Sequence, residues 1–222
     1  MLLGFFTAIP VINAGVLSLQ VLFSAVPADS LRLMVAPTAL FLHALAGATF
    51  GLTGPLQFTR ALRGRYDRLH RMAGRAFVVS GLWLGLSGLM LLARVESVST
   101  AVLDTARGLA GVALLVALAQ GMRAIRAQKY VAHRTWMIRA YAIGMGSGTV
   151  ALVFLPIYLI AGTPPRGLGA DLVVTTCWAL SIFVAERIVR QRKPVYSPYP
   201  TAGGAGSAPD GAAAKAKGAS RP

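Results

Sequence analysis

Charged residues and cysteines are both scarce in this 222-residue chain, and each shortage excludes classes of protein. Only 13% of the residues are charged, 55% are hydrophobic, and the mean hydropathy is +0.63. So few polar side chains cannot cover the surface of a soluble globule. The single cysteine, Cys177, cannot form an intramolecular disulfide. Cysteine-based zinc sites, iron–sulfur sites and covalent c-type haem sites need spaced cysteines and are excluded, so any metal chemistry must use the three histidines.

Acidic residues are also few, with seven against 22 lysines and arginines and a net charge of +15. Such a balance is common in nucleic-acid-binding proteins. Here, however, the basic residues lie in short runs between long apolar stretches, which is the positive-inside pattern of membrane proteins. We therefore expect membrane lipids, and not nucleic acid, as partners.

Six stretches are long and apolar enough to be membrane spans: 3–26, 34–58, 76–93, 108–122, 138–161 and 171–187. A span needs about 20 residues, so the third, fourth and sixth should extend a few residues into their flanking loops. The predicted fold class is an all-α integral membrane protein with about six transmembrane helices. A cleaved signal peptide ending near Ala28 is the alternative for the first stretch; the missing basic n-region and the long apolar run oppose it.

Charge placement predicts the topology. Eighteen of the 22 basic residues lie in two loops, 59–75 and 123–139, or after residue 186. We therefore expect a multi-pass protein of the cytoplasmic (inner) membrane with both termini in the cytoplasm. The predicted organisation is a first helix and outer loop (1–33), a five-helix membrane domain (34–187) and a basic tail (188–222). From Pro194 onward the tail is rich in Pro, Gly, Ala and Ser and is predicted to be disordered.

The two basic loops resemble each other at a constant offset of 63 residues, sharing the pattern Q-x-x-R-A-x-R-x6-H-R that begins at Gln57 and at Gln120. Each loop lies between two spans, so the pattern predicts two parallel hairpin repeats. Chance similarity between arginine-rich loops is the alternative. In the repeat, His70 and His133 should lie at equal depth on the cytoplasmic side.

This histidine pair is the first candidate site. Two imidazoles at matched depth are able to ligate one b-type haem iron, with arginines on its propionates, or to hold a quinone. The arginines concerned are Arg71, Arg75, Arg134 and Arg139. The plainer interpretation is that the arginines anchor the protein at the interface and the histidines pack there.

Other polar residues also lie within or at the ends of spans. His43 is well inside the second span and too far outward to share a metal with the pair; a haem there would need another ligand such as Met90. Glu186 is expected to pair with Arg190 at i+4. Gln57 ends the second span. Glycines spaced at three or four residues favour close helix approach, with a slot for a flat cofactor as the alternative.

Several of these motifs together resemble a family of bacterial predicted membrane proteins, domain of unknown function 2306. The resemblance covers roughly residues 40–187 and rests on His43 with a following glycine and on four motifs: Gly54-Pro55-Leu56-Gln57-Phe58, Leu69-His70-Arg71-x-x-Gly74-Arg75, His133-Arg134-x-Trp136-Met137-Ile138-Arg139-x-Tyr141-Ala142, and Ala185-Glu186. It implies a membrane fold and gives weight to these positions, but it implies no activity.

Two functional hypotheses follow, and neither settles whether the protein is an enzyme. In the first, the bundle binds haem b or a quinone through His70 and His133 and passes electrons to a redox partner. In the second, the basic loops form a cytoplasmic cup for an anionic lipid headgroup or a small solute, with Arg60, Arg63, Arg123 and Arg126 in its wall.

Overall fold

A computed structural model describes residues 37–59, 66–94, 100–161 and 167–191, and in those ranges the regular structure is entirely α-helical. The five helices are α1 (Pro37–Phe58), α2 (Asp67–Arg94), α3 (Ala101–Arg126), α4 (Tyr130–Ala161) and α5 (Gly167–Gln191). Four of them, α1 from Thr38, α2, α3 and α5, are long and apolar enough to cross a membrane. The all-α membrane fold is thus confirmed. The predicted first span lies outside the described residues, as does the predicted tail except for residues 188–191, which belong to α5.

The last four helices, α2 to α5, are longer than the apolar stretches that predicted them. α2 has 28 residues and begins at Asp67, and α4 has 32 and begins at Tyr130, so much of each predicted basic loop is helix. The second loop shrinks to residues 127–129, where Gln128 takes a left-handed conformation with φ 56°. The cause is physical: helical hydrogen bonds are satisfied within the backbone, and long arginine side chains keep their charge in water while their stems cover apolar surface.

Helices that follow each other in the chain run antiparallel, and α1–α4 form a bundle. α1 and α2 are joined near one end by Gln57, whose Nε2 donates to the backbone oxygen of His70 (3.1 Å), and near the other by His43, whose Nδ1 lies 2.9 Å from Oγ of Ser87. α3 packs against α2 and α4, α1 also contacts α4, and α5 lies on α4 and α3.

Two glycines that are 63 residues apart hold one aromatic ring at the middle of the bundle. A Cβ atom at Gly81 of α2 would lie 2.7 Å from Cε2 of Phe50, and a Cβ atom at Gly144 of α4 would lie 2.5 Å from Cε1, on the ring's other edge. α2 and α4 therefore run in the same direction and offer equivalent positions to Phe50 of α1. This is the relation that a parallel repeat requires.

Phe50 is the centre of an aromatic core. Its ring stacks on Phe77 with centroids 4.3 Å apart, and Tyr141 lies beside both rings. The ring of Tyr141 in turn fills the space where a Cβ of Gly54 would be. Of the two interpretations of the glycines, close helix approach is the one these positions support, because the protein's own rings occupy the spaces.

Polar side chains join α5 to α4. Nε and Nη2 of Arg139 donate to the two carboxylate oxygens of Glu186, at 2.5 and 3.1 Å. Nε1 of Trp178 donates to the backbone oxygen of Ile143 at 3.0 Å. The principal partner of Glu186 is therefore Arg139 and not the expected Arg190, which adds an electrostatic attraction only. A planar guanidinium on a facing helix gives two parallel bonds, which a neighbour one turn away does not match.

The close approach at Phe50 gives a stability prediction with an internal control. Gly81→Ala should lower the free energy of unfolding by about 1–3 kcal/mol, because the added methyl group meets the rigid Phe50 ring. At Gly47 a Cβ would lie 3.6 Å from Leu84, an ordinary contact, so Gly47→Ala should be neutral or slightly stabilising. Thermal unfolding in detergent, followed by circular dichroism, measures both. An equal loss of unfolding free energy in the two variants would show that the close contact between Phe50 and Gly81 does not limit the side chain at position 81.

The α4–α5 ion pair can be measured by a double-mutant cycle of Arg139→Gln and Glu186→Gln. Both side chains are about 30% exposed, so each single variant leaves a partly buried charge without its partner. We expect a coupling free energy of about 1 kcal/mol, within the range of interhelical polar contacts in membranes. Additive single effects would show that the pair does not hold α5.

Candidate functional site

Basic residues lie at one end of the helices, which we call the basic end. Ten of the twelve lysines and arginines in the described ranges are there; only Arg94 and Arg107 are toward the opposite end. His70 and His133 are each the fourth residue of their helix, at the basic end of α2 and α4. The two histidines therefore occupy equivalent positions in their helices, and their equal depth in a membrane stays a prediction.

The two histidines are held differently. Nδ1 of His133 lies 2.8 Å from the backbone oxygen of Gly121 and donates a hydrogen bond to it. In the neutral ring, Nε2 is then the nitrogen with a lone pair. At His70 it is the backbone oxygen, and not the ring, that accepts a hydrogen bond from the side-chain amide of Gln57. Toward the bundle centre, Met137 and Tyr141 of α4 and Phe77 of α2 belong to the buried core. Neither cavity described below is lined by His70 or His133.

The arginines of the first candidate site have separate environments. Arg71 lies 3.8 Å from Asp67 in an exposed pair, and Arg75 is exposed. Nε of Arg134 is buried with no hydrogen-bond partner among the described residues. Arg139 is committed to Glu186 and stacks over the ring of Trp136, 4.9 Å from its centroid.

The smaller of two cavities, with a volume of about 190 Å³, lies between α3, α4 and α5 beside this Arg139–Glu186 pair.

No cluster of three or more histidine, cysteine or acidic side chains suited to a metal ion occurs in the described ranges.

His43, the third histidine, lies in the opposite half of the bundle. Oγ of Ser87 donates to the backbone oxygen of Trp83 at 2.6 Å, and it is also 2.9 Å from Nδ1 of His43. A serine hydroxyl has one hydrogen, so the imidazole must be the donor in the second contact. Its Nε2 has no hydrogen-bond partner in the part of the chain that the structure describes.

The larger cavity lies beside His43. Its volume is about 280 Å³, and all five described helices line it. Most of the wall is apolar, from leucine, glycine, alanine and isoleucine side chains, with the ring of Trp178 at one side. The ionisable side chains in this wall are His43 and Arg107, with the hydroxyl of Ser147 as a further polar group.

His43 and Arg107 lie at about the same depth. α2 and α3 cross closely where a Cβ of Gly85 would be 3.5 Å from the backbone oxygen of Gly111. Because the helices are antiparallel, Gly88 is then level with residue 108. His43 contacts Gly88, and a Cβ there would lie 3.3 Å from its Cε1. Both ionisable side chains are thus about 9 Å, six helical residues, inside the ends of α2 and α3.

Sequence reasoning singled out His43 but missed its neighbours. Met90, the suggested second haem ligand, is 46% exposed and does not line the cavity, so that suggestion is wrong. Ser87 and Arg107 are 44 and 64 residues from His43 in the chain. No local spacing signal connects positions so far apart; the offset between the two repeats was the one available clue.

The family comparison agrees with the motifs at the helix ends. Residues 40–189 match the family model described as "Predicted membrane protein (DUF2306)". No curated protein and no solved structure shows significant similarity to the chain. The matched region contains His43, His70, His133 and most of all five helices, well over half of the chain. The protein is therefore a member of the DUF2306 family of predicted membrane proteins.

Proposed function

We propose that this protein binds a small, mostly apolar molecule with a polar head in the cavity beside His43. The observation that carries the proposal is the cavity of about 280 Å³ with two ionisable side chains in an apolar wall. Ligand sites in proteins typically combine such walls with a few convergent polar groups. Ionisable residues inside a membrane span are costly to bury, which favours a functional role for them.

Of the two sequence hypotheses, the proposal belongs to the binding class, but it moves the site. The anionic cup was expected at the basic end, with Arg60 and Arg63 in one half; these two lie outside the described residues. Arg123 and Arg126 are exposed near the end of α3. Contact of this end with anionic lipids remains part of the proposal, because it would place the basic end at the cytoplasmic face.

Filling the cavity should remove the ligand. Ala110 lines the cavity, whereas Ala119, on the same helix, is exposed. We expect a small molecule extracted in near-stoichiometric amount from the purified wild-type protein to fall at least about 10-fold in Ala110→Phe and to be unchanged in Ala119→Phe. Liquid chromatography with mass spectrometry of the extracts measures it. Equal retention in both variants, or no retained molecule in the wild type, would contradict the proposal.

Haem binding by His70 and His133 is a second candidate. Their matched positions favour it, as does the fixed ring of His133, since a ligating histidine commonly donates its other nitrogen to a carbonyl. The residue types fit a bis-histidine haem, but the space does not, because the core side chains of Phe77, Met137 and Tyr141 fill the adjacent interior. If a haem did bind, it would supply one-electron transfer.

A visible spectrum decides between the two candidates. We expect protein purified from haem-replete cells to show no Soret band and no reduced-minus-oxidised α-band. A near-stoichiometric haem signal that is lost in His70→Ala and in His133→Ala, but kept in His43→Ala, would instead establish a b-type cytochrome. The basic end would then be the main site.

A further inference from the structure

The hydrogen-bond direction at His43 restricts what the cavity can bind, given the function proposed above. The Ser87 hydroxyl donates to the Trp83 carbonyl, so Nδ1 of His43 carries a hydrogen. In the neutral imidazole the other nitrogen, Nε2, is then an acceptor only. A cationic ring would be costly in a wall lined mainly by apolar side chains. The free position at His43 therefore requires a donor from the ligand.

Arg107 supplies the opposite hydrogen-bonding capacity at the same depth. Nη1 of Arg107 lies 3.3 Å from Oδ1 of Asp104, so the positive charge has a counter-charge one turn away. A guanidinium carries N–H donors and no acceptor, so Arg107 adds no acceptor to the polar groups of this wall.

We infer that the ligand is an apolar hydroxyl compound of the phenol or quinol class, whose O–H donates to Nε2 of His43. The apolar remainder of such a molecule would lie against the leucine and isoleucine side chains of the wall. An oxidised quinone is disfavoured, because it offers carbonyl oxygens alone and would set a lone pair against the lone pair of Nε2. The site thus distinguishes the reduced, hydroxyl-bearing form from the oxidised form.

Two probes that differ in one hydrogen-bond donor test this. 4-Hexylphenol carries a hydroxyl group, and 4-hexylanisole carries the same oxygen methylated. Trp178 lines the cavity and is a suitable reporter once Trp83 and Trp136 are replaced by phenylalanine. This single-tryptophan protein in lipid nanodiscs is titrated with each probe, with concentrations expressed in the lipid phase, and excited where the probes do not absorb.

We expect the phenol to bind at least about 10-fold more tightly than the anisole, because a buried acceptor left without a donor loses on the order of 1.4 kcal/mol. His43→Phe should reduce the ratio to about one. His43→Gln, whose amide oxygen is an acceptor, should restore much of it. This rescue would not occur if His43 were needed only for folding.

The outcomes separate this inference from the function on which it rests. Equal binding of phenol and anisole, abolished for both by Ala110→Phe, would overturn the hydroxyl requirement and retain the cavity as a ligand site. A tenfold ratio that persists in His43→Phe would overturn the role of His43. A Trp178 response to neither probe, or a response unaffected by Ala110→Phe, would overturn both.

Discussion

The ring of Phe50, held edge to edge between Gly81 and Gly144, sets the geometry of the whole bundle. The two glycines occupy equivalent places in the repeat, so one side chain fixes the separation of α2 and α4, which do not follow each other in the chain. Helix association within a lipid layer depends on close side-chain contact, because no water is expelled between helices there. Only a residue without a Cβ lets the ring enter from both sides. Phe77 and Tyr141 then close the core around it.

The aromatic core also separates two regions of different chemistry. Toward the basic end the interior is packed. The ring of His133 contacts the backbone oxygen of Gly121 on α3, and the side chain of Gln57 on α1 donates to the backbone oxygen of His70. Toward the other end the helices leave the cavity, bordered by Gly144 at the core and by Arg107 near the helix ends. α5 belongs to both regions, through Glu186 at the basic end and Trp178 at the cavity. Charge is therefore concentrated where it would meet lipid headgroups, while His43 and Arg107 are the ionisable side chains in the cavity wall.

Local sequence patterns predict what local physics determines. Apolar runs located the described helices, and charge bias with the 63-residue offset indicated parallel repeats and histidines of equal depth. Helix lengths were underestimated, since arginine-bearing turns remain helical beyond the apolar stretch. The partners of Glu186 and His43 were not predictable in this way. They are 47 and 44 residues distant, and only the arrangement of the helices brings them into contact. The carboxylate of Asp171, which accepts from the backbone N–H of Thr100 at the start of α3, is a third example.

The repeat is closest to symmetric at the core and departs from symmetry at the cavity. The proposed ligand site would require such an asymmetry. Glycines at 81 and 144 correspond, and so do those at 85 and 148, but Ser87 corresponds to Val150. The hydroxyl that orients the imidazole is thus present in one repeat alone. His43 and Arg107 are 64 residues apart, one more than the repeat offset, so the two repeats contribute an acceptor and a donor at nearly equivalent places. Two identical groups would recognise a symmetric ligand equally at both ends. In the proposed site, an acceptor on α1 facing a cationic side chain on α3 would instead favour one orientation of the ligand, with its hydroxyl group toward α1.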